Sequence, residues 1–175
     1  MSARRTLGTL PNLLSGSRFV LAAGFAVSDT TRVRMGLIGV AALTDFLDGW
    51  VARRVDATSR WGALLDPLAD RVFVLCAVAT FVFSGLLGAG AYFVLIMRDL
   101  ATAVGFLVAR AVPSLRDAVF KARMSGKVVT VLQLVTLAAI LVAHAAVPAL
   151  LLVVALVSIG SIADYTLALW RARAA

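Results

Sequence analysis

Six apolar runs divide the chain, and each approaches the length that crosses a bilayer. They cover roughly residues 11–28, 33–53, 61–83, 91–111, 126–143 and 149–170. A hydrocarbon layer of about 30 Å takes about 20 helical residues. A chain of 175 residues built this way is expected to be an all-α integral membrane protein. It should form one domain over residues 1–175 with six transmembrane helices. Mean hydropathy of +0.99 lies far above that of a soluble domain. Residues 1–9, with Arg4 and Arg5, read as a short interfacial segment. The first run also holds Ser15, Gly16, Ser17 and Arg18, so its first turns are expected to line a cavity. The first ten residues lack a signal-peptide cleavage pattern, so no processing is expected.

Charge sets the expected orientation. There are 17 Lys and Arg against 9 acidic residues, all of them Asp, for a net charge of +8. Six spans put both termini on one side, and 12 of the 17 basic residues fall there. Arg32 and Arg34 alone fall in the opposite loops. The positive-inside rule then makes that side cytoplasmic, with the protein in the cytoplasmic (inner) membrane. No basic patch interleaved with aromatics points to nucleic acid. The positive balance fits anionic headgroups and a phosphorylated substrate instead. The single Cys76 excludes an intrachain disulfide.

Four carboxylates stand at the boundary between the second and third runs. Asp45, Asp48, Asp66 and Asp70 follow at spacings of three, eighteen and four. Residues three or four apart share a helix face, and the loop between the two helices is short. Both acidic faces can therefore meet at one level. Carboxylates that close cannot all stay ionised without cations. Oxygen ligands suit Mg²⁺ or Mn²⁺, which commonly bridge carboxylates to phosphates. Four carboxylates suffice for two ions in a clamp on a displacement reaction. The plainer reading pairs these Asp with Arg53, Arg54, Arg60 and Arg71. Gly49, Ala52 and Gly62 are small, which suits either close approach of a ligand or helix packing. Arg53 fits a phosphate clamp at the edge of the site.

This stretch resembles the CDP-alcohol phosphatidyltransferases, whose motif reads D-x-x-D-G-x-x-A-R-x8-G-x-x-x-D-x-x-x-D. Asp45, Asp48, Gly49, Ala52, Arg53, Gly62, Asp66 and Asp70 meet every spacing. The resemblance implies a six-helix membrane fold, usually a homodimer, with a polar cavity open to the cytoplasm. It implies transfer of a phosphatidyl group from CDP-diacylglycerol to an acceptor hydroxyl, with release of CMP. Asp45, Asp48 and Asp66 would carry the metals, and Asp70 would be a further ligand and the general base. Gly49, Ala52, Arg53 and Gly62 would sit against the CDP moiety.

Three further stretches bear on the acceptor. Pro11-Asn12-Leu13-Leu14-Ser15, with Arg18 three residues on, looks like the P-N-x-L-T-x-x-R opening of the phosphatidylglycerophosphate synthase branch, with Ser15 in place of Thr; related branches share this opening. Asn12 is thereby placed with CDP and Arg18 with the acceptor phosphate, although Asn12 also suits a helix cap. Arg98-Asp99 sits within an apolar run. Arg98 either meets a phosphate or pairs internally with an Asp. Cardiolipin synthases of this fold usually show Arg-Asp here, and the glycerophosphate branch Arg-Glu. Gly126-Lys127 is followed by Thr130 and Gln133, and Lys127, Thr130 and Gln133 recur every three residues along one helix face. This looks like G-K-x-K-T-x-x-Q, with Val129 in place of the second Lys. Arg98, Arg110 and Lys127 are read together as a basic pocket for the acceptor phosphate. Glycerol 3-phosphate is the preferred acceptor and phosphatidylglycerol the alternative. A small cation transporter is the competing class. Such proteins often show repeats and mid-membrane broken helices, whereas here the acids sit at one boundary and no repeat is visible.

Overall fold

The computed structural model describes the backbone of residues 10–52, 62–111 and 124–174, and side chains within 16–46, 71–108 (Phe106 excepted) and 126–167 and at Trp170. These residues form six α-helices and no strand. They are α1 (Leu10–Val27), α2 (Thr31–Ala52), α3 (Gly62–Phe83), α4 (Ala89–Ala111), α5 (Met124–Val142) and α6 (Val147–Ala174), with a single 3₁₀ turn at His144–Ala146 before α6. They group into two compact units, residues 1–86 and 87–175.

In the first unit, α1 packs against both α2 and α3. Its Phe25 is fully buried. The ring meets Phe73 edge-on at 5.7 Å and Phe81 at 5.4 Å, the offset geometry aromatic quadrupoles favour. Phe73, Ala77 and Phe81, with Val74 and Val78 beside them, are the buried stripe of α3. Their spacing of four is the reason one face of α3 can close over α1. Cys76 donates its Sγ–H to the carbonyl of Ala22 at 3.5 Å.

The start of α2 differs from the sequence expectation. Asp29 and Thr30 lie outside the helix, but Thr31 is already inside it, because the Arg34 amide donates to the Thr30 carbonyl at 3.0 Å. Arg32 and Arg34 therefore belong to a helix turn, not a loop. Arg34 is buried. Its guanidinium carbon stands 5.3 Å from the Phe25 ring centre and 5.8 Å from that of Phe81. Cation–π attraction offsets part of the cost of burying it.

The turn after α3 follows from one glycine. Gly85 has φ +73°, a left-handed conformation open to Gly without strain. The Leu86 amide donates to the Phe81 carbonyl at 2.9 Å and the Gly85 amide to the Val82 carbonyl at 3.0 Å. This pair of bonds is a Schellman motif, which satisfies carbonyls that the ending helix would leave bare.

In the second unit, α6 packs against both α4 and α5. Leu95, Val129, Leu137 and Val154 are fully buried apolar residues there. Unusually for an apolar bundle, Arg98, Asp99, Thr130, Gln133, Thr136, Ser158 and Ser161 are buried as well.

Among the described residues, one stretch, His144–Leu167, is long and apolar enough to cross a membrane. Gly16–Val27, Arg71–Phe83 and Gly126–Val142 are shorter apolar helical stretches. Among the described residues the expectation of six spans is therefore met by one helix. Val20, Val27, Phe46, Phe83, Phe93, Leu152 and Leu156 are all more than half exposed. So many exposed apolar side chains are a liability in water.

Candidate active site

The two Asp pairs lie in the helical turns that flank residues 53–61 of the first unit. Asp45 and Asp48 belong to the last turns of α2, with Gly49 and Ala52 after them. Gly62 opens α3, and Asp66 and Asp70 follow in its first turns. Each pair shares a helix face, as its spacing requires. Arg53 lies outside the described residues, as do the side chains of Asn12, Asp48, Asp66 and Asp70.

Asp45 is the described carboxylate of the set, and its neighbour was not foreseen. Arg18 Nη2 of α1 stands 3.5 Å from Asp45 Oδ1. The Arg18 side chain is 4% exposed and that of Asp45 is 41% exposed. The arginine is thus sealed between helices while the carboxylate stays open on one side. Arg53, Arg54, Arg60 and Arg71 are the partners expected from the sequence, and Arg18 is expected at the acceptor phosphate. A partner 27 positions upstream needs α1 to lie against α2, which local spacing does not reveal. A half-open carboxylate is a hard oxygen donor of the kind Mg²⁺ or Mn²⁺ takes, so Asp45 fits a metal ligand. Among the described residues there is no cluster of three or more metal-ligating side chains.

The second unit holds a separate polar group around Arg98. Arg98 Nη1 lies 3.0 Å from Asp99 Oδ1, with both side chains 4% exposed. The internal pair weighed from the sequence is therefore present. Gln133 of α5 donates through Nε2 to Asp99 Oδ2 at 2.7 Å and to the Leu95 carbonyl at 2.6 Å. Tyr165 of α6 presents its ring 5.8 Å from the Arg98 guanidinium carbon. Gly126 lies against the guanidinium so closely that a Cβ there would overlap Arg98 Nη2. Arg98 still has an unsatisfied donor, because Nε is buried without a hydrogen-bond partner. A recess opens beside it, between Arg98, Thr102 and Gly105 of α4 and Ile162, Tyr165 and Thr166 of α6.

The other residues read as an acceptor pocket are less gathered. Lys127 is exposed, one position past the buried Gly126. Thr130 and Gln133 are buried, and the Thr130 hydroxyl donates to the Gly126 carbonyl at 3.2 Å. The buried face of α5 therefore runs through residues 126, 130 and 133, and Lys127 lies beside it. Arg110 falls near the end of α4, with its side chain outside the described residues. Asp99, Gly126 and Gln133 had no site role in the sequence reading. The buried amide and carboxylate in apolar runs were the available signal.

The described residues are thus all helical, with Asp pairs flanking a short connection and a buried Arg–Asp pair in the second unit. The model of the CDP-alcohol phosphatidyltransferase family matches residues 8–160, and the chain belongs to that family. It is 36% identical over 108 residues to the CDP-diacylglycerol–glycerol-3-phosphate 3-phosphatidyltransferase of Aquifex aeolicus, covering 58% of this chain and 61% of that protein. It is 34% identical over 152 residues to the cardiolipin synthase (CMP-forming) of Rattus norvegicus, covering 77% of this chain and 50% of that protein. A chloroplastic CDP-diacylglycerol–glycerol-3-phosphate 3-phosphatidyltransferase of Oryza sativa is 34% identical over 107 residues, 58% of this chain and 32% of that one. The chain spans less than two thirds of each of these relatives.

Proposed function

We propose that this protein transfers a phosphatidyl group from CDP-diacylglycerol to glycerol 3-phosphate, forming phosphatidylglycerophosphate and CMP. The observation that carries the reading is the full eight-position Asp motif, Asp45 to Asp70, seven of whose positions lie on the helix turns that flank residues 53–61. The half-open carboxylate of Asp45 agrees with it. So does family membership.

Asp45, Asp48, Asp66 and Asp70 would hold two Mg²⁺ or Mn²⁺ ions. When bound, such ions neutralise the diphosphate and the charge that develops on the leaving CMP. The acceptor oxygen forms a bond to the phosphorus that carries the diacylglycerol, and the bond from that phosphorus to CMP breaks. Asp70 accepts the proton of the acceptor hydroxyl. Arg53 clamps the diphosphate, and Gly49, Ala52 and Gly62 let the backbone approach CDP, with Asn12 beside it. Arg18 holds Asp45 in place. Arg98 meets the acceptor phosphate through the donor it leaves free, with Arg110 and Lys127 adding positive charge nearby.

The membrane arrangement that fits this chemistry has six spans and both termini cytoplasmic. The site then faces the cytoplasm of the inner membrane, in a homodimer. The basic residues on that side of the chain support the orientation.

A second acceptor is favoured by two observations. Two relatives named cardiolipin synthase align over 77% of this chain, against 58% for the Aquifex aeolicus enzyme. Asp follows Arg98, the pattern that looks like the cardiolipin branch. Phosphatidylglycerol would then be the acceptor. The deciding experiment supplies purified protein with CDP-diacylglycerol, Mg²⁺ and one acceptor at a time, and identifies the lipid product by mass. Phosphatidylglycerophosphate from glycerol 3-phosphate is the expected product. Cardiolipin from phosphatidylglycerol alone would move the assignment to the second reading.

A further inference from the structure

We propose that Gln133 is a positioning residue for the acceptor: through Asp99 it sets the direction in which the Arg98 guanidinium presents its free donor. The proposal rests on the reading of Arg98 as the contact for the acceptor phosphate.

Consecutive residues on a helix do not face one another. Arg98 and Asp99 can pair only if the arginine folds sideways around α4 and the carboxylate is held to meet it. Gln133 does the holding. Its Nε2 donates once to Asp99 Oδ2, at 2.7 Å, and once to the carbonyl of Leu95, at 2.6 Å. Leu95 lies one turn before Asp99, so the amide grips both the side chain and the backbone of that turn. Asp99 Oδ1 is left pointing at Arg98 Nη1, 3.0 Å away.

The amide is costly for a packing residue. Gln133 is fully buried, and its Oε1 has no hydrogen-bond partner. A buried polar atom without a partner costs free energy that an apolar side chain of similar volume would avoid. Filling space therefore does not account for an amide here, whereas orienting the carboxylate does.

The surroundings complete the arrangement. Gly126 sits two turns before Gln133 on α5 and leaves room for the guanidinium. Tyr165 covers another side of it. Asp99 takes one edge, and Nε keeps a hydrogen without an acceptor. A guanidinium fixed by a carboxylate on one side and short of an acceptor on another is prepared for a second oxyanion. It also loses little rotamer freedom when that anion binds.

The test measures CMP release by the full-length protein. Separate KM values are taken for CDP-diacylglycerol and for whichever of glycerol 3-phosphate or phosphatidylglycerol supports release. The variants are Gln133→Leu, Asp99→Asn, the two combined, and Arg98→Lys. Gln133→Leu is expected to raise the acceptor KM roughly tenfold, the scale of one hydrogen bond to a charged group. The CDP-diacylglycerol KM should change less than about twofold, well inside that scale. Adding Asp99→Asn should cost less than the product of the two single effects, because both act through one guanidinium. Where Gln133→Leu does not fold, Gln133→Met keeps the chain length and serves in its place.

Equal rises in both KM values would mean a merely structural role and would overturn the proposal. So would an unchanged acceptor KM in Gln133→Leu while Arg98→Lys raises it, an outcome that leaves the reading of Arg98 intact. An unchanged acceptor KM in Arg98→Lys would remove that reading and this proposal with it.

Discussion

Arg18 Nη2 lies 3.5 Å from Asp45 Oδ1, so a buried guanidinium of α1 already faces the first aspartate of the motif. The arginine holds that carboxylate and also competes with a cation for it. Opposite charges a few ångströms apart near a protein surface interact by several kcal/mol. Arg18→Met should therefore lower the Mg²⁺ concentration for half-maximal CMP release by about tenfold. It should also lower kcat, because Asp45 loses the contact that orients it. A Mg²⁺ titration of CMP release checks both. An unchanged midpoint would mean that Asp45 is not a ligand or that Arg18 does not act on it.

Arg98→Ala tests the acceptor side. Loss of a charge-assisted contact costs roughly 1.5–3 kcal/mol, so the acceptor KM should rise at least about tenfold. The CDP-diacylglycerol KM should move less. The reverse order would assign Arg98 to the nucleotide lipid.

Gly126→Ala probes the same guanidinium from α5. The added methyl would overlap Arg98 Nη2, and the arginine would have to turn away from a buried, ion-paired position. Overpacking of this kind costs about 1–3 kcal/mol. The thermal midpoint in detergent should fall and the acceptor KM should rise together. A variant with unchanged acceptor KM would show that the guanidinium can shift without consequence.

Legibility varied with the reach of the interaction. The six helices begin and end within a few residues of the sequence expectation, because apolar runs and turn residues are local signals. Gly85 is one example, at a turn expected from its Gly-rich surroundings. Family membership was legible for the same reason: the spacings of the Asp motif are fixed within one stretch. Three features were not. The Arg18–Asp45 pair joins two helices, and nothing near either residue announces the other. Arg34 read as a loop arginine, yet the helix starts early enough to bury it against Phe25 and Phe81. Asp99 and Gln133 lie 34 positions apart, and only the folding of α4 and α5 into one unit makes one the partner of the other. Lys127 shows the converse. A spacing of three put it on a face with Thr130 and Gln133, but helix rotation over six residues leaves it at the exposed edge.

Phe25 supplies a stability test independent of the chemistry. Its ring is fully buried between Phe73 and Phe81. Phe25→Ala should cost about 3 kcal/mol or more, read as a fall in the thermal midpoint. Arg34→Met should cost much less. The methionine fills similar space, and Asp29, the partner at 3.8 Å, is exposed enough to stay hydrated without it.

The most direct test of metal-dependent transfer at the Asp motif is CMP release from CDP-diacylglycerol and glycerol 3-phosphate, in wild type and Asp66→Asn, with Mg²⁺ and after chelation. Wild type is expected to release CMP only with the metal. Asp66→Asn is expected to lower release by at least about a hundredfold, since even residues that merely support metal ligands cost up to that much. The variant should keep the helical signal and thermal midpoint of wild type. Release that survives chelation, or full activity in a folded Asp66→Asn protein, would contradict metal-dependent transfer at this motif.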